Sequence, residues 1–200
     1  MKYVIILGGS LEQEKIFLLC KKYNLKIISV DIKKKPYCLK YSDIHLNIST
    51  KKPQNIYREI SKLKINKKIA GVISIASDIP VSVSFLSQKL NTKSISLKSA
   101  KLVSNKIKMK KKFLKFKIET PEFSYFKNFK LFFKYLKSKS NDVVIKPSDN
   151  SGSRGVFLIE NKDIKNKSKI SFFFKESKKN SLEKKIIVEN FLHGHKLSSE

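Results

Sequence analysis

The run Val143-Val144-Ile145-Lys146-Pro147 passes directly into Ser148-Asp149-Asn150-Ser151-Gly152-Ser153-Arg154-Gly155-Val156. A β-branched strand that ends in one lysine and turns into a loop of small residues can hold a polyphosphate. The strand fixes the ammonium, and exposed backbone N–H groups of the loop close over the oxygens. The pattern is not a P-loop, whose lysine follows the glycines at the start of a helix. Nor is it a dinucleotide fingerprint, which leads into a helix, because Gly155 is followed by the apolar run Val156-Phe157-Leu158-Ile159. The loop is therefore expected at the tip of a hairpin, as a strand-loop-strand flap. Glycine and serine also dominate ordinary turns, so the loop alone leaves a plain hairpin turn open beside nucleotide binding.

Composition narrows the classes. Two hundred residues with 40% hydrophobic content suffice for one domain or two small ones. No apolar run approaches the roughly 20 residues of a membrane span, and residues 3–7 are too short for a secretory signal. Cys20 and Cys38 make neither a metal-type spacing nor a disulfide framework, so a reducing cytoplasm is the expected compartment. The net charge of +28 points first to nucleic acid, because clustered cations bind phosphate backbones by releasing counterions. Yet among 44 basic residues only Arg58 and Arg154 are arginines, and the lysines are spread from Lys2 to Lys196. Readers of bases and phosphates rely on the arginine fork. So even a lysine excess reads as compositional drift, with no specific nucleic-acid partner.

The elements that must position Lys146 follow from periodicity. Residues 3–7 read as a buried strand, Gly8-Gly9-Ser10 as a tight turn, residues 11–23 as a helix with Ile16, Leu18 and Leu19 on its apolar side, and residues 25–30 as a strand ending at Asp31. That is a βαβ unit, which is parallel and right-handed. A second cycle has a helix over 56–63, a strand over 71–75 and a helix over 80–90 opened by Asp78 with Pro80 in its first turn. A short strand at 94–96 and a short helix at 99–103 complete it. Asp31 and Asp78 fall past the carboxyl ends of strands, where ligands bind in open α/β sheets, although turn and capping chemistry accounts for both. Beyond residue 104 come a lysine-rich helix (105–116), an extended segment (121–126) and a helix capped by Asn128 whose Phe129, Phe132, Phe133 and Leu136 form one apolar stripe suited to a core. Strands are expected at 143–146, 156–160 and 186–190, with a helical or looser stretch over 162–176.

Four pieces in this order resemble the ATP-grasp superfamily, in its carboxylate–amine ligase branch. They are Ser104-Asn105-Lys106-Ile107-Lys108-Met109-Lys110, the strand ending at Lys146, the loop Ser151-Gly152-Ser153-Arg154-Gly155, and Val188-Glu189-Asn190-Phe191-Leu192-His193-Gly194. The resemblance covers essentially the whole chain. It implies an α/β fold: an N-terminal Rossmann-like pre-ATP-grasp sheet (1–103) followed by an α+β ATP-grasp small subdomain (104–200), incomplete at its C-terminal side. It further implies that Lys106 and Lys146 contact ATP phosphates as two point charges. Ser151, Gly152, Ser153, Arg154 and Gly155 would close over those phosphates, and Val156 would pack on the adenine. Glu189 would be the acid near the adenine amino group, and the backbone of Asn190, Phe191 and Leu192 would bond the base edge.

The reaction implied is ATP-dependent ligation of a carboxylate to an amine or thiol through an acyl phosphate. Its partners are ATP with Mg2+ and small-molecule carboxylate and amine substrates, without a membrane, and a homodimer is compatible with it. The pattern departs from the family at His195, which stands where relatives often carry a ribose-binding acid. The residues that hold magnesium in the family lie downstream of this hinge, so they are expected outside the 200 residues and no catalytic residue is assigned. Two other readings stay open: a basic nucleic-acid-binding module built on the Lys and Phe stretch of 109–139, and an inactive fragment.

Overall fold

A computed structural model describes residues 2–194. The chain divides between Lys101 and Leu102 into two compact units, each with its own four-stranded sheet.

The first unit contains β1 (Tyr3–Leu7), α1 (Glu14–Lys22), β2 (Lys26–Asp31), β3 (Ile44–Asn47), α2 (Pro53–Lys62), β4 (Ile69–Ile73), α3 (Pro80–Lys89) and the start of α4 (Leu97–Val103). Its sheet is wholly parallel in the order β3-β2-β1-β4. Val4, Ile5, Ile6 and Leu7 are all buried, because a central parallel strand has helices over both faces and reads as a continuous apolar run. Successive residues alternate between two cores. Ile5, Leu7, Ile28 and Val30 pack with Ile56, Ile60 and Leu86, and Val4, Ile6 and Ile27 pack with Phe17, Cys20 and Cys38. Each such side chain contributes about 1.5–3 kcal/mol on burial.

Three expectations for this unit need correction, and one strand had not been expected. The helix over 11–23 is a single 3-10 turn (Leu11–Gln13) followed by α1, and its inner side carries Phe17 and Cys20, while Leu18 and Leu19 are 48% and 45% exposed. Successive residues turn by about 100° on a helix, which sets Ile16 and Leu18 on nearly opposite sides, so Ile16, Leu18 and Leu19 cannot share one stripe. Residues 94–96 pair with no strand; Ser84 Oγ of α3 donates to Ile95 O at 2.7 Å and holds the segment to that helix. Asp78 does not cap α3, whose cap position is Ile79 with no side-chain cap bond. Finally, β3 was not foreseen: its Ile44-His45-Leu46-Asn47 run is short and lies at the sheet edge, paired only to β2.

The second unit contains α5 (Lys106–Lys115), β5 (Phe123–Phe126), α6 (Phe129–Lys137), β6 (Val143–Pro147), β7 (Phe157–Ile159), α7 (Lys167–Lys179) and β8 (Ile186–Asn190). The sheet is antiparallel in the order β5-β8-β6-β7. The extended segment over 121–126 becomes a fourth strand because residues Phe123 to Phe126 find β8 as a partner. The core joins Phe132 and Leu136 of α6, Ile170 and Phe174 of α7, and Val143, Ile145, Ile159, Ile186 and Val188 of the sheet. Phe132 and Phe174 stack with ring centroids 5.2 Å apart. Asn128 caps α6 by accepting from the Leu131 N–H at 3.2 Å, so the apolar stripe expected there faces the core. Among the described residues no helix is long and apolar enough to cross a membrane.

Candidate functional site

In the second unit, β6 and β7 form the antiparallel hairpin expected from the sequence, and residues 148–156 are its connection. The root of this turn is tied down. Ser148 N–H donates to Lys185 O at 3.1 Å, and the Asp149 carboxylate accepts from Leu182 N–H at 3.0 Å and Glu183 N–H at 2.8 Å. The tip is different. Gly152, Ser153 and Gly155 adopt positive φ of 70°, 54° and 74°, the left-handed region that glycine enters without steric cost. Ser151 N–H donates to Asn150 Oδ1 and Val156 N–H to Ser153 O at 3.4 Å. The N–H groups of Gly152, Ser153, Arg154 and Gly155 donate to no other described residue. Gly152, Ser153 and Arg154 are exposed, so a run of backbone donors stands open at the end of β6, a concavity of the kind that takes anions.

Two lysines converge on that end. Lys106 is the first residue of α5, whose cap Asn105 accepts from Lys108 N–H at 3.0 Å and donates to Glu183 Oε1 at 3.1 Å. Lys106 N–H donates to Ser148 O at 2.8 Å, and its ammonium bonds Asn150 O. Lys146 extends from β6 and its Nζ lies 3.0 Å from Glu189 Oε2. Distant in sequence, the two lysines are thus brought to one end of one strand. Glu189 belongs to β8, which lies between β5 and β6. It is not a surface acid at a strand edge, because only 6% of it is exposed.

Sequence reasoning overlooked a third cation. Lys110, one turn beyond Lys106 on α5, lies 3.4 Å from the same Glu189 Oε2 and donates to Thr120 Oγ1 at 2.6 Å. Its only sequence signal is the i,i+4 spacing from Lys106, which places both on one helix face.

At the other side of Glu189, Asn190 N–H donates to Glu122 O at 3.0 Å and Phe191 N–H to Asp142 O at 2.9 Å. Those two N–H groups are engaged, whereas Leu192 N–H bonds no other described residue. Lys139, 2.6 Å from Glu122, holds that carboxyl below its usual range. Asn190 Oδ1 is buried without a hydrogen-bond partner among the described residues. Phe191 meets His193 edge-on at 4.8 Å, Leu192 is 68% exposed and Val156 37% exposed. His193 is an exposed side chain of the turn. His195 lies outside the described residues.

The first unit offers clefts of its own. One of about 170 Å³ at the carboxyl ends of its strands is lined by Gly8, Ser10, Gln13, Asp31, Ser49 and Ser77, and another of about 380 Å³ borders Asp78, Pro80 and Val83. Asp31 is used in turn chemistry: Oδ2 accepts from Gly9 N–H at 2.9 Å and Oδ1 from Lys33 N–H at 2.8 Å.

A parallel α/β unit followed by an antiparallel sheet with a lysine-bearing hairpin defines an ATP-grasp type of architecture, and comparisons with known proteins agree. Residues 104–200 match the model of the phosphoribosylglycinamide synthetase ATP-grasp (A) domain. That match spans just under half of the chain, and together with the structural neighbours it supports an ATP-grasp segment of the carboxylate–amine ligase type. It is similar in structure to phosphoribosylglycinamide synthetase from Anaerococcus prevotii, with 19% identity, 96% of this chain and 46% of that chain covered and a TM-score of 0.64. It is also similar to N5-carboxyaminoimidazole synthetase from Staphylococcus aureus complexed with ADP, with 12% identity, coverage of 96% and 48% and a TM-score of 0.70. A third is the biotin carboxylase domain dimer of Hydrogenobacter thermophilus 2-oxoglutarate carboxylase, in complex with MgADP, ADP and bicarbonate, with 13% identity, coverage of 96% and 45% and a TM-score of 0.68. The chain spans about half the length of these structures. No curated protein matches it in sequence.

Proposed function

We propose that this chain supplies the nucleotide-holding part of an ATP-dependent ligase that joins a carboxylate to an amine or thiol through an acyl phosphate. The observation that carries this reading is the meeting of Lys106, Lys146 and the open N–H groups of 152–155 at one end of β6. Neighbours solved with ADP and with MgADP support the ligand class. In the reaction, a carboxylate oxygen attacks the γ-phosphorus of ATP and ADP leaves. The nucleophile then attacks the acyl carbon, phosphate leaves, and the proton of the amine or thiol is released. Such phosphoryl transfer depends mainly on positioning and charge stabilisation.

Lys106 and Lys146 would offset phosphate charge as adaptable point cations. Ser151, Gly152, Ser153, Arg154 and Gly155 would donate from the backbone to phosphate oxygens. Val156 would lie against the base. Glu189, Asn190, Phe191 and Leu192 would border the adenine, with the Leu192 N–H as the donor that remains for the base edge. Residues 1–103 would serve as the pre-ATP-grasp domain.

Magnesium bound with ATP would supply positive charge to the phosphates. Asp149, Glu183 and Glu189, the acids near this end of the sheet, do not fit as its ligands, Glu183 because it accepts from Asn105 and pairs with Lys185. Asp149 accepts from the backbone of Leu182 and Glu183, and Glu189 is shared by two lysines. Among the described residues no cluster of three or more His, Cys, Asp or Glu could hold a metal.

Isothermal titration of the 200-residue chain with ATP tests the reading. The expected result is saturable binding that Lys146→Ala weakens about tenfold or more, in line with loss of a charge-assisted contact. Absence of saturable binding would overturn it. So would binding that collapses with salt yet ignores Lys146, the mark of non-specific phosphate attraction.

A further inference from the structure

Lys110 sits where this chain's lysines rarely do. It is 7% exposed, its ammonium donates to Thr120 Oγ1, and it lies 5.7 Å from the centroid of the Phe123 ring. A buried ammonium is tolerated only when paired and hydrogen-bonded, and its charge partner is Glu189 at 3.4 Å. Lys146 meets the same oxygen, Oε2, at 3.0 Å. The two cations differ in freedom: the Lys146 side chain is 28% exposed and that of Lys110 is 8% exposed. One carboxylate is thus shared by an anchored lysine and a lysine that reaches toward solvent beside the open turn.

We propose that Lys110 is a positioning residue: it holds the Glu189 carboxylate in place, so that Lys146 can leave it for an anionic phosphate. This rests on the nucleotide reading given above. Without Lys110, the departure of Lys146 would strand a buried carboxylate, and the cost of an uncompensated buried charge exceeds that of most single contacts. Nucleotide and Glu189 would then compete for one cation. With Lys110 present, Glu189 keeps a partner through the whole exchange. The groups that face Glu189 bear this out: Lys110 from α5 and Lys146 from β6 are charged, whereas its register partners, Phe123 on β5 and Val144 on β6, are not.

The test measures ATP affinity for the wild-type chain and for Lys110→Met, an apolar side chain of similar length, at about pH 7.5 and at about pH 5.5, bracketing the upper part of the range in which a stranded carboxylate takes up a proton. The expected result is binding weakened about tenfold or more at the higher pH, with the wild-type-to-variant ratio shrinking at the lower pH, because a protonated Glu189 needs no cation. An equal ratio at both pH values, or unchanged affinity in the variant, overturns the role of Lys110 and leaves the nucleotide reading standing. Absence of ATP binding in the wild type overturns both. If Lys110→Met does not fold, judged by far-ultraviolet circular dichroism, the wild type answers the same question. In a chain labelled with 13C-glutamate, the Glu189 carboxyl resonance is expected to stay at its ionised position when ATP is added at neutral pH, and a shift to the protonated position overturns the proposal.

Discussion

Two glycine-serine turns follow strands in this molecule, Gly8-Gly9-Ser10 after β1 and residues 151–155 after β6, and they use their backbone donors in opposite ways. In the first, Gly8 N–H donates to Val30 O at 2.8 Å, Gly9 N–H to Asp31 and Ser10 N–H to Gln13 Oε1 at 2.9 Å. The Gln13 amide folds over the turn and itself donates to Ile75 O at 3.0 Å. In the second, four consecutive N–H groups have no partner among the described residues. Glycine content alone therefore does not make an anion cradle. What matters is whether neighbouring side chains have already satisfied the donors, and around 151–155 they hold only the root.

The contrast breaks most readily at Gly8. Its φ is 110°, and a Cβ there would stand 2.2 Å from Gln13 Nε2 and 2.6 Å from Gln13 Oε1. Gly8→Val is expected to lose about 3–5 kcal/mol of the stability of the first unit, combining backbone strain with overpacking, as measured by urea unfolding. At Gly152 a Cβ would have no neighbour closer than 3.9 Å, so only the positive φ opposes substitution. Gly152→Val should cost about 1–2 kcal/mol in stability yet weaken ATP binding about tenfold by narrowing the approach to the open donors. A comparable loss of stability at both positions would erase the distinction between the turns.

Asp149→Ala removes the acceptor for Leu182 and Glu183 N–H and frees the root of the open turn. The expected cost is about 1–2 kcal/mol, read in the same unfolding experiment, with faster amide exchange of residues 182 and 183. The smallest effect is on acid stability. Burial pushes the Asp43 carboxyl up, but the Lys26 ammonium, the Ile27 N–H and the Lys21 ammonium together outweigh it and set it at about 2. A folded-state value below the usual 3.8 means that this stabilisation is fully present above that pH and is lost as pH falls toward 2. Asp43→Asn should lower stability at neutral pH and flatten the acid limb over that interval, so that variant and wild type converge as pH falls toward 2.

Local signals account for what the sequence made legible. The Asn128 cap, the Phe129, Phe132, Phe133 and Leu136 stripe and the β6–β7 hairpin each depend on residues close in the chain, and each stands as expected. β3 and the pairing of β5 depend on partners far away, and no short-range pattern announces them. Ser94-Ile95-Ser96 has strand-like residues but is captured by Ser84. Lys110 was invisible for another reason. In Lys106-Ile107-Lys108-Met109-Lys110-Lys111-Lys112 every lysine looks alike, and only the tertiary fold buries one of them against Glu189.

Backbone amide resonances of the 200-residue chain, followed as ATP is added, test the central claim most directly. The N–H signals of Gly152, Ser153, Arg154 and Gly155 are expected to move in a saturable way while those of Gly8, Gly9 and Ser10 stay in place. Saturable shifts in the Gly8 turn with none at 152–155 would contradict the account.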